Sequence, residues 1–229
     1  MAVAVDMKAL LEAGVHFGHK TSRWHPKMAP YIHSKRQETH IIDLVKTAEG
    51  LEAALPFITK TVASGKKVLF VGTKKQHKEI VKAAAESAGM PYVTERWVGG
   101  MLTNVATMGT QIKKLHDLEK RMASGDLEKR YNKLEVQRFQ EEIDVLNSKY
   151  DGIKNLEGQP GAVIVVDTIN DAGAIREARN LKVPVVGVVD TNADPTLVDY
   201  VIPGNDDAIK GTQLLLDYFV AAVKEGAVK

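Results

Sequence analysis

Val68-Leu69-Phe70-Val71-Gly72-Thr73-Lys74-Lys75-Gln76 decides the fold. Four consecutive apolar residues without polar alternation suit a strand covered on both faces. Gly72 ends the run, and Lys78 to Ala88 then carries helical spacing. A strand that passes through glycine into a helix is a βα junction, where backbone N–H groups and the helix start favour anions. The junction has neither the GxxxxGK(S/T) spacing of a P-loop nor a GxGxxG fingerprint. Any phosphate-binding role here therefore rests on Lys74 and Lys75.

The same alternation extends outward from this junction. Upstream, His40-Ile-Ile-Asp-Leu44 is a short β-type run, and Thr47 to Val62 is an amphipathic helix with Leu51, Ala54, Leu55 and Ile58 at helical spacing. Pro56 predicts a kink or a restart within it. Downstream, Pro91-Tyr92-Val93 is a candidate strand. After an interruption the alternation resumes with the strand Ala162 to Asp167 and the helix Asp171 to Asn180. The strand Val183 to Asp190, the short β run Tyr200 to Ile202 and the closing helix Asp206 to Val223 complete it. All-apolar strands alternating with helices predict an α/β fold with a parallel, doubly wound sheet.

The interruption begins at Arg96-Trp-Val-Gly-Gly-Met-Leu-Thr-Asn104. Gly99 and Gly100 permit backbone angles closed to other residues, and Thr103 or Asn104 can cap a following helix, so this reads as a hinge. Arg96 beside Trp97 suits a stacked anionic ligand, and a tight loop around a buried Trp97 is the alternative. From Ile112 to Tyr150 the composition turns charged and balanced. Apolar residues recur at Ile112, Leu115, Leu118 and Met122, then at Val136, Phe139, Ile143 and Leu146, in steps of three and four. With a turn at Ser124-Gly125-Asp126, this predicts an antiparallel helical hairpin with a coiled-coil-like seam, protruding from the body. Lys113, Lys114, Arg121 and Arg130 are its candidate contacts to RNA or protein.

At the N-terminus, His16 to Gln37 holds Lys20, Arg23, Lys27, Lys35 and Arg36, three aromatics and no carboxylate. Gly18, Pro26 and Pro30 argue against a regular helix. Cations interleaved with aromatics in an irregular loop are what phosphate pairing and base stacking require, with Trp24 as a stacking candidate and Phe17 packed on the body. The four histidines lack an i, i+4 ligand pair, and no metal is assigned to them. Late in the chain, Val183 to Ile209 carries Asp190, Asp194, Asp199, Asp206 and Asp207 and no Lys or Arg. This acidic patch, held apart from the basic segments, is expected to face solvent, a protein partner or a metal. A divalent ion on Asp190, Asp194 or Asp206 is the minor alternative.

Composition bounds the rest. The 229 residues, 44% hydrophobic, suffice for a sizeable core. A net charge of +2 gives no global argument for nucleic acid, so RNA binding requires segregated charge. The absence of cysteine excludes disulfides and thiol chemistry. Residues 1–12 do not read as a signal peptide and no apolar run approaches the ~20 residues of a membrane helix, which predicts a soluble, intracellular protein. An enzyme acting on a phosphorylated metabolite would use the strand ends, but no nucleophile–base pair or ligand cluster is legible there.

Read in series, these motifs resemble bacterial small-subunit ribosomal protein two. The resemblance is carried by Leu10-Leu-Glu-Ala-Gly-Val-His-Phe-Gly-His19, Trp24 with Pro26-Lys27-Met28, His40 to Leu44 with Lys46-Thr47, and Gly72-Thr73-Lys74. Arg96 to Asn104, Asp190-Thr191-Asn192 with Asp194-Pro195, and Ile202-Pro203 with Asn205 to Ala208 complete it. The sequence departs from the family pattern at His25, His77, Asn170-Asp171 and Tyr150 to Ile153.

The resemblance implies a Rossmann-like or flavodoxin-like body carrying the hairpin. The corresponding boundaries are a basic, aromatic arm at 1–40, a body at 41–103 and 156–229, and a hairpin at 104–155. It further implies a non-enzymatic, cytoplasmic constituent of the small ribosomal subunit, without cofactor, small-molecule substrate or membrane contact. Its partners would be 16S-type rRNA at the head–body junction, other small-subunit proteins and the mRNA-binding protein one. The RNA-binding candidates are Lys20, Arg23, Trp24, Lys27, Lys74, Lys75, Arg96, Trp97, Lys113 and Lys114, and the protein-facing candidates are Asp190, Asp194, Asp206 and Asp207.

Overall fold

The computed structural model describes residues 5–156 and 158–228. Residues 1–4, in the arm, and Glu157 and Lys229, in the second body segment, lie outside it. The chain opens with α1 (Met7–Glu12), capped by the Asp6 carboxylate, which accepts from the backbone N–H groups of Lys8 and Ala9. The window expected to be irregular then contributes two strands to an antiparallel sheet, completed by the expected β-type run after it. The strands β1 (Phe17–Lys20), β2 (Ile32–Arg36) and β3 (Thr39–Ile42) lie in the order β1-β3-β2. Pro26 and Pro30 fall in the 3-10 segment Pro26–Tyr31 between β1 and β2, where they remove no ladder hydrogen bond.

Asp43 caps α2 (Leu44–Ala63) through the Val45 N–H. This helix runs through Pro56 without the expected restart. Pro56 lies on the solvent side, so the carbonyl that loses its partner four residues earlier is left to water rather than to the core. There follow β4 (Val68–Val71), α3 (Lys78–Ser87) and β5 (Tyr92–Val93), and then α4 (Val105–Ala123), α5 (Asp126–Arg130) and α6 (Lys133–Tyr150). The chain closes with β6 (Ala162–Val165), α7 (Ala172–Asn180), β7 (Val185–Val189), β8 (Tyr200–Pro203) and α8 (Ile209–Ala227).

The five later strands form one parallel sheet in the order β5-β4-β6-β7-β8. Counted from β4 this is 2-1-3-4-5, the flavodoxin-like order, with its topological switch point between β4 and β6. Period-two alternation sends successive residues of each strand to opposite faces. Val68 and Phe70 join Ile164, Val186 and Ile202 against α2, α3 and α8. Leu69 and Val71 join Val163, Val165 and Val189 against α7, Met28 and the roots of α4 and α6. Both faces are covered, which is why the strands read as unbroken apolar runs.

The inserted helices occupy the crossover from the edge strand β5 to the central strand β6. α4 and α6 pack on each other, burying Leu115, Leu118, Ile143 and Leu146. These are four of the eight apolar positions predicted from spacing, and Ile112, Met122 and Phe139 pack at the edge of the same cluster. Their apolar residues are continuous with the second core, which roots the pair in the body. Where a bare turn was expected, Gly125 (φ 68°) leads into α5, whose Leu127 is fully buried. Asn132 and Glu135 then start α6 with a reciprocal capping box.

Candidate nucleic-acid interface

The carboxyl ends of β4, β6, β7 and β8 bring together residues far apart in sequence. Lys74, just past β4, places its Nζ 3.3 Å from Asp167, 3.1 Å from Asp206 and 2.8 Å from Asp207. Burial works against its charge, but these carboxylates outweigh that and hold Lys74 above the usual lysine range. Asp171 accepts from the Thr73 backbone N–H at 3.2 Å and from its hydroxyl at 2.6 Å. His77 is fully buried, with Nε2 2.7 Å from the Asp206 carbonyl oxygen. A carbonyl only accepts, so Nε2 carries a proton, and burial lowers the pKa of the imidazole.

The N-terminal sheet closes this rim. The His19 N–H donates to Thr191 Oγ1 at 2.9 Å and the His25 N–H to the Thr191 carbonyl at 2.7 Å. The His19 ring lies 3.0 Å from Asp190 and 3.4 Å from Asp207, and its bond to Asp190 raises its pKa despite burial. Burial, then repulsion from Asp167 and Asp190, pushes Asp206 up to about 7. Lys27 reaches Asp194 at 2.8 Å and Thr196 at 3.0 Å.

These contacts correct the expected separation of charge. In three dimensions the basic arm and the βα lysine lie directly on the acidic segment, because parallel strands converge at their carboxyl ends. Lys74 and Lys27 are engaged by carboxylates. Asp190 and Asp206, 1% and 3% exposed, are interior groups with no surface to offer a protein partner. Asp194 is tied to Lys27 and Thr196, and Asp207 is the exposed member of the four. The metal alternative also changes membership. Among the described residues, the potential ligand atoms that come within 4.8 Å of one another belong to His19, Asp206 and Asp207, with Asp190 and Asp194 outside the group. Lys74 already neutralises the two aspartates of that group.

At the hinge a single carboxylate organises the loop. Glu177 of α7 accepts from Trp97 Nε1 at 3.0 Å and Gly100 N at 2.7 Å on one oxygen. Its other oxygen accepts from Leu102 N at 3.0 Å, Thr103 N at 3.2 Å and the Thr103 hydroxyl at 3.1 Å. Although burial opposes ionisation, these donors hold Glu177 below the usual glutamate range. Trp97 is therefore a root contact of the helical pair, half-buried beside Gly173, rather than a free stacking platform. Of the two glycines only Gly100 has a left-handed backbone, φ 88°. Asn104 caps α4 through the Thr107 N–H, and Arg96 is exposed. No sequence pattern near Glu177 announced its role, since its partners lie 74 to 80 residues upstream.

The remaining candidates divide by exposure. Lys20, Arg23, Lys75 and Lys113 are exposed and form no ion pair among the described residues. Lys114 is paired with Glu142 of α6, and Arg121 with Asp126. Phe17, expected to pack on the body, is 48% exposed and touches the His16 ring instead. Trp24 is 41% exposed, its ring 5.3 Å from that of His40.

The chain is thus an α/β protein with a flavodoxin-like sheet, a strand-end rim filled by its own side chains and exposed cations on appended elements. Residues 10–226 match the family model described as ribosomal protein S2. The chain is 50% identical over 222 residues to small ribosomal subunit protein uS2 of Roseiflexus sp. strain RS-1, covering 97% of this chain and 84% of the relative. It is equally identical over 216 residues to the uS2 protein of Thermus thermophilus, covering 94% and 84%. To that of Chloroflexus aggregans it is 49% identical over 222 residues, covering 97% and 93%. The chain belongs to the ribosomal protein S2 family. Among the described residues, no helix is long and apolar enough to cross a membrane.

Proposed function

We propose that this chain is a structural constituent of the small ribosomal subunit in the cytoplasm, not an enzyme, and that it binds 16S-type rRNA at the head–body junction. The observation that carries the reading is the set of exposed cations without a carboxylate partner, two of them, Lys20 and Arg23, in the same arm as the half-exposed Trp24, in a chain of this family. Lys20, Arg23, Lys75, Arg96 and Lys113 pair with phosphates, and Trp24 receives a base. Lys27, Lys74, Lys114 and Trp97 hold the scaffold in shape. The exposed Asp207 rim and the outer faces of α4 and α6 meet other small-subunit proteins, including the mRNA-binding protein one.

Sedimentation of lysates from growing cells tests the proposal. The tagged chain is expected to migrate with small subunits and with 70S particles. A chain found only at the top of the gradient overturns it.

A further inference from the structure

The tip of the N-terminal sheet is built differently from the rest of the surface. Arg36 and Thr39 pair directly, so β2 and β3 are joined by a two-residue loop, Gln37-Glu38. Both residues have positive φ, 47° and 62°, the mark of a type I′ turn. Such turns normally take Asn, Asp or Gly; here both residues are exposed, and the Thr21 N–H donates to the Glu38 carbonyl at 2.7 Å. The result is a narrow β2–β3 ribbon at one edge of the three-stranded sheet, its outer strand exposed from His33 to Arg36.

Register places its cations. Lys20 of β1 and Arg36 of β2 both pair with Thr39, so they flank it in one row across the sheet, about 10 Å apart. Lys35 pairs with His40 and therefore lies on the opposite face, the face on which the His40 ring meets Trp24. Burial, and then the nearby Lys35 charge, lower the pKa of the His40 imidazole. None of Lys20, Arg23, Lys35 or Arg36 forms an ion pair among the described residues, whereas Lys27, immediately beside this sheet, is committed to Asp194. Glu38 is the one carboxylate at the tip.

We propose that the β2–β3 ribbon is an RNA-gripping element. Lys20 and Arg36 neutralise phosphates from one face, Lys35 neutralises one from the other, and Trp24 takes an unpaired base beside Lys35. This rests on the rRNA-binding reading above and adds the place and the grip. Phosphate pairing on two faces of a narrow ribbon suits folded RNA at a junction, where backbones approach from both sides and bases are available for stacking.

The test uses the full chain and small subunits stripped of this protein. Two charge-neutral doubles are compared, Lys35→Gln with Arg36→Gln at the ribbon and Lys210→Gln with Lys224→Gln on α8, where both lysines are exposed. The ribbon double is expected to lose about tenfold or more in affinity near 0.15 M salt. Its plot of log K against log salt should become shallower by about 1.5, from two lost contacts. The α8 double should match the unmodified chain.

Lysine acetylation of the unmodified chain gives a second readout that does not depend on a variant folding. Lys20 and Lys35 should be protected in the reassembled subunit while Lys210 and Lys224 stay reactive. Wild-type affinity and slope in the folded ribbon double, or a reactive Lys35 in the subunit, overturns the ribbon and leaves the rRNA-binding proposal standing. Failure of the unmodified chain to bind subunits overturns both.

Discussion

Trp97 and Glu177, 80 residues apart, are joined by a 3.0 Å hydrogen bond from the indole N–H to a carboxylate that also accepts from Gly100, Leu102 and Thr103. One side chain on α7 thus fixes the path of the chain into α4. Glu177→Ala leaves these donors without their common acceptor. Since the site is partly open to water, a loss of about 2 kcal/mol is expected in urea unfolding. Trp97 emission should shift to the red. An unchanged stability and spectrum would mean that the loop is held by packing alone.

Lys74 separates a structural cation from an RNA contact. Lys74→Met removes the charge that offsets Asp167, Asp206 and Asp207. Because the ammonium is a quarter exposed, a cost of about 2 kcal/mol is expected. The salt dependence of subunit binding should stay at the wild-type slope. A slope shallower by nearly one would return Lys74 to the phosphate contacts.

Asp171 gives stability a definite pH dependence. Burial raises its pKa from 3.8 to about 6, against the opposing Thr73 hydrogen bonds. Between these two values the folded chain keeps a proton that the unfolded chain releases, so this group's contribution to stability falls as pH rises through that window. Asp206, pushed up to about 7, contributes with the same sign at higher pH. Melting temperature measured from pH 4 to 7 should decline less steeply in Asp171→Asn than in the unmodified chain. Parallel curves would place the Asp171 pKa near its ordinary value.

Gly152 sits where the returning chain crosses β5. A Cβ there would lie 2.2 Å from the Tyr92 carbonyl oxygen and 2.5 Å from its ring. Gly152→Ala must therefore push β5 away from the end of α6, with an expected loss of about 1–3 kcal/mol. Calorimetric melting measures it. A neutral substitution would show that β5 is free to move.

The body was legible because its signals are local. Strands buried on both faces show as four or five consecutive apolar residues, as at Val68–Val71 and Val185–Val189, and Asn104 caps the helix that follows it, whereas the Asp43 cap fell inside a run read as β-type. The helical pair was legible for the same reason, since steps of three and four report one face. In the N-terminal sheet β3 was read as a β-type run, but β1 and β2 were hidden because the ladder is short and irregular, and because Gln37-Glu38 makes a type I′ turn without the residues that announce one. The rim misled for a different reason. Runs of like charge in sequence suggested separate surfaces, but Lys74 and Asp206 stand 132 residues apart in the chain and 3.1 Å apart in space. Exposure of Phe17 and the clamp at Glu177 had no local signature at all.

The docking of the N-terminal sheet on Thr191, Asp194 and Asp207 has a kinetic meaning. Synthesis proceeds from the N-terminus, so the first segment made finds its seat only when one of the last emerges, at separations such as the 167 residues from Lys27 to Asp194. Contacts of such long range form late. A nascent or truncated chain would hold its cationic tip on an unseated tether, and the completed chain would present it in one fixed orientation. The orientation of the arm is thus fixed only by residues made near the end of the chain.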